Sequence, residues 1–255
     1  MDSNRYRTLA SRVYQLDKPV GHSFGDIEFY LDALRDLQGS ILEPAVGSGR
    51  VMIPLLQAGL DVEGFDASPE MLAVCRENCA AAGLTARLSQ ARFEDFSSDR
   101  QFEAIVMPAG SFQLITSFEA AIAVLRRFHA QLAPLGRLFV DLGVAARIYK
   151  MHPRARHWYD AAGDLFTLHE APAGSDDVAQ VATTHLRYDQ WRDGNLVCSE
   201  FDLFAVRWWG LEEFRLALYQ AGFGKVCVYG DFDRNASPKS ARQTLTFEAS
   251  RYPRR

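Results

Sequence analysis

Apolar and polar positions follow two different periods along this chain, and the change of period divides it. Over residues 26–37, Ile27, Tyr30, Leu31, Leu34 and Leu37 recur at helical spacing on one face. Gly39 follows as a stop signal. An apolar run over 40–46 leads into Gly47-Ser48-Gly49, and a helical pattern resumes over 51–58. Pro54 falls in the first turn of that helix, where backbone N–H groups lack internal partners. Residues 60–65 read as a second strand ending at Asp66. Ser68-Pro69-Glu70 is a helix start: a capping hydroxyl, a ring preset for the first helical position, and a carboxylate at the positive end. The helix covers 69–82 and stops at Gly83. Strands over 86–91, 102–107 and 138–142 and a helix over 117–132 complete the alternation. Strand–helix alternation of this kind predicts a parallel sheet with right-handed crossovers and helices on both faces.

After residue 142 the pattern changes. Residues 181–191 and 196–208 are β-rich and meet at Asp193-Gly194, a dipeptide favoured in tight hairpins because both positions take positive φ. A helix over 211–220 and strands over 225–230 and 244–249 follow. The predicted fold class is α/β: a Rossmann-like, mostly parallel seven-stranded sheet with an antiparallel β insertion after strand five. Residues 1–255 read as one domain. An N-terminal cap segment covers 1–38, a nucleoside-binding core 39–142, a substrate-side insertion 143–210, and a closing helix and strands 211–255.

Composition narrows the function classes. The chain has 255 residues, of which 48% are hydrophobic and 24% charged, with a net charge of −4. This is ordinary globular usage, without the basic field of a nucleic-acid binder. Four irregularly spaced cysteines make no disulfide framework. No further His or Cys follows Cys75 and Cys79 at ligand spacing, so no metal is expected. The first residues carry no signal-peptide pattern, and no stretch is long enough to cross a bilayer. The expectation is a cytoplasmic protein without a membrane partner. A homodimer stays open.

The chemistry concentrates in Glu43-Pro44-Ala45-Val46-Gly47-Ser48-Gly49 and in Asp66. Glycines after a first strand let backbone approach a ligand, at the sheet edge where such folds bind nucleotides. Glu43 would repel a pyrophosphate but attract the ammonium of an amino-acid tail. The third glycine of a dinucleotide fingerprint is missing, since Met52 stands there. Asp66, ending strand two, can accept both ribose hydroxyls. Adenosine joined to a cationic amino acid meets all three conditions. S-adenosylmethionine has that structure, whereas NAD meets only the Asp66 condition.

The runs ILEPAVGSGRVMIPLLQAG, VEGFDASPEMLAVCREN, FEAIVMPAGSFQLI and LAPLGRLFVDL cover most of residues 40–142. They resemble the class I S-adenosylmethionine-dependent methyltransferases. In finer detail the chain is similar to the small-molecule N-methyltransferases of the amino-sugar and glycine type. Those place a tyrosine-bearing N-terminal segment over the cofactor, here Val13-Tyr14-Gln15-Leu16-Asp17. They also carry an antiparallel insertion after strand five and a Gly-Phe element before strand six, here Ala221-Gly222-Phe223. The resemblance implies that Ala45, Gly47 and Gly49 form the loop at the methionine portion and that Glu43 holds the loop or the ammonium. It places Asp66 at the ribose, Ala67, Met71 and Phe93 at the adenine, and Met107 and Ala109 near the sulfonium. Arg92 stands where the family has an acidic residue, and it cannot accept the adenine amino hydrogen bond.

Methyl transfer from a sulfonium is an in-line displacement that requires alignment and exclusion of water. A neutral amine acceptor needs little more, whereas a hydroxyl needs a base or a metal. Acceptor-side candidates are Tyr14, Phe112, Gln113, His157, Trp158, Tyr188, Trp191 and Arg207. Tyr14 and His22 are the catalytic candidates. His22 lies in a Gly-flanked segment, Gly21-His22-Ser23-Phe24-Gly25, that can close as a lid and supply a base. The leading expectation is transfer to an amine nitrogen of a small molecule. An O-methyltransferase with a His base and a cofactor-binding sensor without transfer are the alternatives.

Overall fold

The computed structural model describes residues 3–143, 152–240 and 242–252. The predicted alternation appears as strands β1 (Ile41–Pro44), β2 (Val62–Asp66), β3 (Arg87–Gln90), β4 (Phe102–Met107) and β5 (Leu132–Leu142). Helices α3 (Met52–Gln57), α4 (Pro69–Ala81) and α5 (Phe118–Gln131) connect them, with the short 3-10 turn Ser111–Leu114 after β4. Helix α6 (Leu211–Ala221) and strands β10 (Val226–Gly230) and β11 (Leu245–Ser250) close the sheet. The sheet has seven strands in the order β10-β11-β5-β4-β1-β2-β3. β1 pairs in parallel with both β2 and β4, while β11 runs antiparallel between β5 and β10. The chain therefore winds outward in opposite directions from β1 and β4. That reversal leaves a crevice at their carboxyl ends, the position where open α/β sheets bind ligands.

Two apolar layers hold the sheet. On one face Leu34, Met52, Leu55, Leu72 and Cys75 pack against Ile41, Val62 and Phe139. On the other, Leu125, Phe128, Phe214 and Leu218 pack against Leu42, Ile105 and Phe247. Ser68 caps α4 by accepting from Met71 N at 3.0 Å, with Pro69 at the first helical position, as the sequence predicts.

The insertion is a four-stranded antiparallel sheet, β6 (Arg154–Tyr159), β7 (Leu165–Asp176), β8 (Val181–Arg192) and β9 (Asn195–Arg207), in sequential order. The hairpin at Asp193-Gly194 has φ of 50° and 76°, the pair of positive values expected. Sequence reading missed β6 and β7. It also missed α1 (Thr8–Asp17), whose Leu9, Ala10 and Val13 pack against Phe166, Leu168 and Tyr188 of the second sheet. Helix α2 (Asp26–Leu34) ends before the predicted limit at 37, because Leu37 N already turns back to Leu34 O.

Gly64 in β2 lets the first loop lie close to the sheet. A Cβ there would stand 2.8 Å from Val46 Cβ and 3.2 Å from Glu43 O. Gly64→Ala should therefore lower the unfolding free energy by about 1–3 kcal/mol, the range for overpacking a tight core. Urea denaturation measures this; an unchanged midpoint would show that the loop has room to move.

Candidate functional site

A cavity of about 610 Å³ opens at the carboxyl edge of the parallel sheet. Four loops line it: Ala45 and Gly47 after β1, Asp66 to Met71 after β2, Gln90 to Glu94 after β3, and Ser111 to Thr116 after β4. Tyr6 and Tyr14 from the N-terminal segment border it as well.

The β1 loop is built from left-handed turns. Gly47 and Gly49 have φ of 56° and 81°, and Ala45 holds φ 53° without being glycine. The Asp66 carboxylate anchors this loop. Its Oδ2 accepts from Gly47 N at 2.9 Å and its Oδ1 from Ser68 N at 2.8 Å. Ala67 N–H also acts on this carboxylate, which with about four lone-pair sites keeps capacity for a further donor. Burial pushes the Asp66 pKa up, against the lowering effect of these backbone donors. Met71 and Phe93 give the adjoining wall an apolar character. Arg92 lines the same cavity but is largely exposed, 3.9 Å from Glu94. Glu94 thus brings a carboxylate to the edge where Arg92 has no acceptor.

Glu43 is buried beneath the loop, and its Oε2 has no hydrogen-bond partner. Burial raises its pKa to about 8, opposed by the nearby Arg50 and reinforced by Asp26 and Asp66. Arg50 is itself buried. It donates to both Asp26 oxygens, at 3.1 and 2.5 Å, and to His22 O at 2.7 Å. Its guanidinium lies over the Phe24 ring at 5.2 Å. Asp141, also buried, accepts from Thr246 Oγ1 at 2.7 Å and from Ala109 N at 3.2 Å. Burial pushes its pKa up to about 7, although Thr246 and Tyr30 act in the other direction. The crevice therefore has an excess of buried carboxyl groups over cations. An unpartnered buried acceptor beside a nucleoside-sized cavity fits a ligand with a cationic tail and a sugar.

The expected residues divide clearly. Tyr14, Ala45, Gly47, Asp66, Ala67, Met71, Arg92 and Phe93 line this cavity. Glu43 and Gly49 do not line it. Met107 is fully buried in the core, and Ala109, at φ 57°, turns the chain after β4. His22 does not line this cavity: it is exposed, and its carbonyl is tied to Arg50. Arg50 and Phe24 pin the expected lid segment to the first loop.

Phe112 is a core residue, packed on Trp209 and Phe214. Gln113 bridges Arg207 O and Gly143 N, and Arg207 pairs with Glu213 over the Trp209 ring. These three join the two sheets and lie outside the cavity. His157 is exposed, and Trp191 donates to Thr167 within the second sheet. Trp158 packs beneath Arg156, while Tyr188 lines a smaller adjoining cavity. Tyr6, Asp26, Arg50 and Asp141 were not anticipated. Only Arg50, directly after Gly49, carried a positional signal. Among the described residues no cluster of His, Cys, Asp and Glu forms a metal-ligating set. No helix among them is long and apolar enough to cross a membrane.

Comparisons agree with this geometry. Residues 41–136 match the family described as "Methyltransferase domain". The protein YqeM of Bacillus subtilis (strain 168), which bears a provisional methyltransferase name, is 25% identical over 222 residues, covering 87% of this chain and 88% of its own. The glycine/sarcosine N-methyltransferase of Halorhodospira halochloris is 26% identical over 217 residues, covering 83% of this chain and 76% of its own. The sugar N-methyltransferase KedS8 of Streptoalloteichus sp ATCC 53650 superposes with a TM-score of 0.77 at 18% identity, over 99% and 96% of the two chains. Residues 41–136 thus match a methyltransferase domain, and the fold around them is that of the class I methyltransferases.

Proposed function

We propose that this enzyme methylates an amine nitrogen of a small molecule, with the cofactor in the 610 Å³ cavity. When bound, S-adenosylmethionine supplies a methyl group activated on a sulfonium. The observation that carries the choice of nitrogen is the set of groups at the site. No imidazole lines either cavity, and the tyrosines that do have pKa values raised by burial. Protonated phenols are poor bases, so a nucleophile that needs no base suits this site. The N-methyltransferases among the similar proteins support the same choice.

The chain's own residues supply recognition and alignment. Asp66 would accept from the ribose hydroxyls with the capacity its backbone donors leave free. Met71 and Phe93 would enclose the adenine, with Glu94 near enough along the loop to replace the acceptor that Arg92 lacks. Glu43 would neutralise the cationic amino-acid tail. Tyr6 and Tyr14 line the cavity, where aromatic rings would make a favourable contact for a sulfonium. Their rings also restrict water in the crevice.

Asp66→Ala should weaken S-adenosylhomocysteine binding by about 1.5–3 kcal/mol, the scale of lost charged hydrogen bonds. Calorimetric titration checks this, and an unchanged affinity would remove Asp66 from the site. Glu43 also links stability to pH. Between its ordinary value near 4.5 and about 8, the folded state holds a proton that the unfolded state releases. Stability of the ligand-free protein therefore falls as pH rises through that window. Glu43→Gln should flatten the decline in urea melts from pH 5 to 8; parallel profiles for variant and parent would contradict it. For the function itself, labelled methyl transfer should proceed to amines, and His22→Ala should retain that turnover. Transfer confined to hydroxyl acceptors and abolished by His22→Ala would overturn the nitrogen reading.

A further inference from the structure

A second cavity, of about 200 Å³, adjoins the first, and Tyr6 and Tyr14 line both. Its apolar wall comes from Ala10 and Val13 of α1 and from Leu168, Leu186 and Phe204 of the antiparallel sheet. Four charged side chains also line it: Asp17, Lys18, Arg156 and Glu170. Arg156 takes both acids. Its Nη1 lies 2.7 Å from Asp17 Oδ2 and its Nη2 lies 2.7 Å from Glu170 Oε1. The same Glu170 oxygen accepts from Nε at 3.2 Å.

Lys18 is treated differently. Among the described residues its ammonium has no carboxylate in ion-pair range. It lies 4.8 Å from the centre of the Tyr14 ring, and Tyr14 lines both cavities. Burial lowers its pKa, and the neighbouring Asp17 opposes this only in part. A partly desolvated cation without a counter-ion is costly, and a ligand anion would relieve that cost. The four charges of the cavity cancel, so a zwitterion enters without leaving a net charge.

We propose that this second cavity is the acceptor pocket and that Lys18 binds a carboxylate of the acceptor. The substrate class is then an amine that also carries a carboxylate, an amino-acid-like zwitterion with an apolar body against Val13, Leu168 and Phe204. This inference rests on the methyltransferase reading above. The chemistry is the displacement already described. The acceptor ammonium first loses one proton to solvent; the lone pair so freed forms the N–CH₃ bond as the S–CH₃ bond breaks, the sulfur keeps that electron pair, and the product leaves as the methylated ammonium.

The test is labelled methyl transfer to matched pairs: leucine and isoamylamine, phenylalanine and phenethylamine. Wild-type enzyme should prefer the carboxylate member in kcat/KM by about tenfold or more, the scale of one charge-assisted hydrogen bond. Lys18→Met should bring that preference within about twofold, mainly by raising KM for the carboxylate member, and Lys18→Arg should restore much of it. Binding of S-adenosylhomocysteine is measured in parallel. If the wild type fails to bind it and transfers methyl to nothing, the methyltransferase reading itself falls. If it binds but shows no carboxylate preference, or transfers to no carboxylate member, the acceptor inference is overturned. A preference untouched in Lys18→Met overturns the role of Lys18.

Discussion

Arg50 brings one positive charge into a crevice that also buries Asp26, Glu43 and Asp141. That imbalance is the constraint on which the site depends. Asp26 takes the guanidinium on both its oxygens, leaving Glu43 with a bare Oε2 and a pKa of about 8. A buried carboxyl oxygen without a hydrogen-bond partner is tolerated in a folded protein only at a cost in stability. In the proposed function, a cation arriving at the loop would convert that cost into binding. The Arg50–Asp26 pair also fixes the geometry around it, because Arg50 holds the His22 carbonyl and the Phe24 ring against the first loop. One ion pair thus joins the segment before α2 to the turn after β1.

The two sheets divide the work. The parallel sheet sets the larger cavity at the ends of β1 to β4, where strand order reverses. The antiparallel sheet covers α1 and with it forms the smaller, mixed cavity. The N-terminal segment stitches the pieces together. Asn4 exchanges hydrogen bonds with Leu203 and Ala205 of β9, and the Tyr6 carbonyl accepts from Ser68 at the head of α4. Tyr6 and Tyr14 consequently stand where both cavities meet, held from the two sides.

The parallel core was legible because its signals are local. Ser68-Pro69 starts α4, Gly83 ends it, and each buried strand is a short apolar run bounded by turn residues. Asp193-Gly194 announced its hairpin for the same reason. β6 and β7 were not legible, since much of their length is exposed and carries no strict alternation. α1 buries a narrow stripe against strands more than a hundred residues later, a partner no local pattern reveals. The same limit applies to the site. Gly47 and Asp66 announce themselves through their positions at strand ends. The Arg50–Asp26 pair and the Asp141–Thr246 contact exist only after folding brings distant positions together. Phe112, Gln113 and Arg207 have the chemistry of ligand contacts, yet the fold spends them on joining α5, α6 and the second sheet.

The central claim is that Glu43, whose Oε2 has no partner beneath the first loop, meets a cationic tail. Its most direct test counts the protons exchanged when S-adenosylhomocysteine binds, from calorimetric enthalpies near pH 7 in buffers of different ionisation enthalpy. Ionisation of Glu43 against the bound ammonium predicts release of close to one proton, absent in Glu43→Gln. Tight binding with no proton released, or with the same release in the variant, would contradict the account.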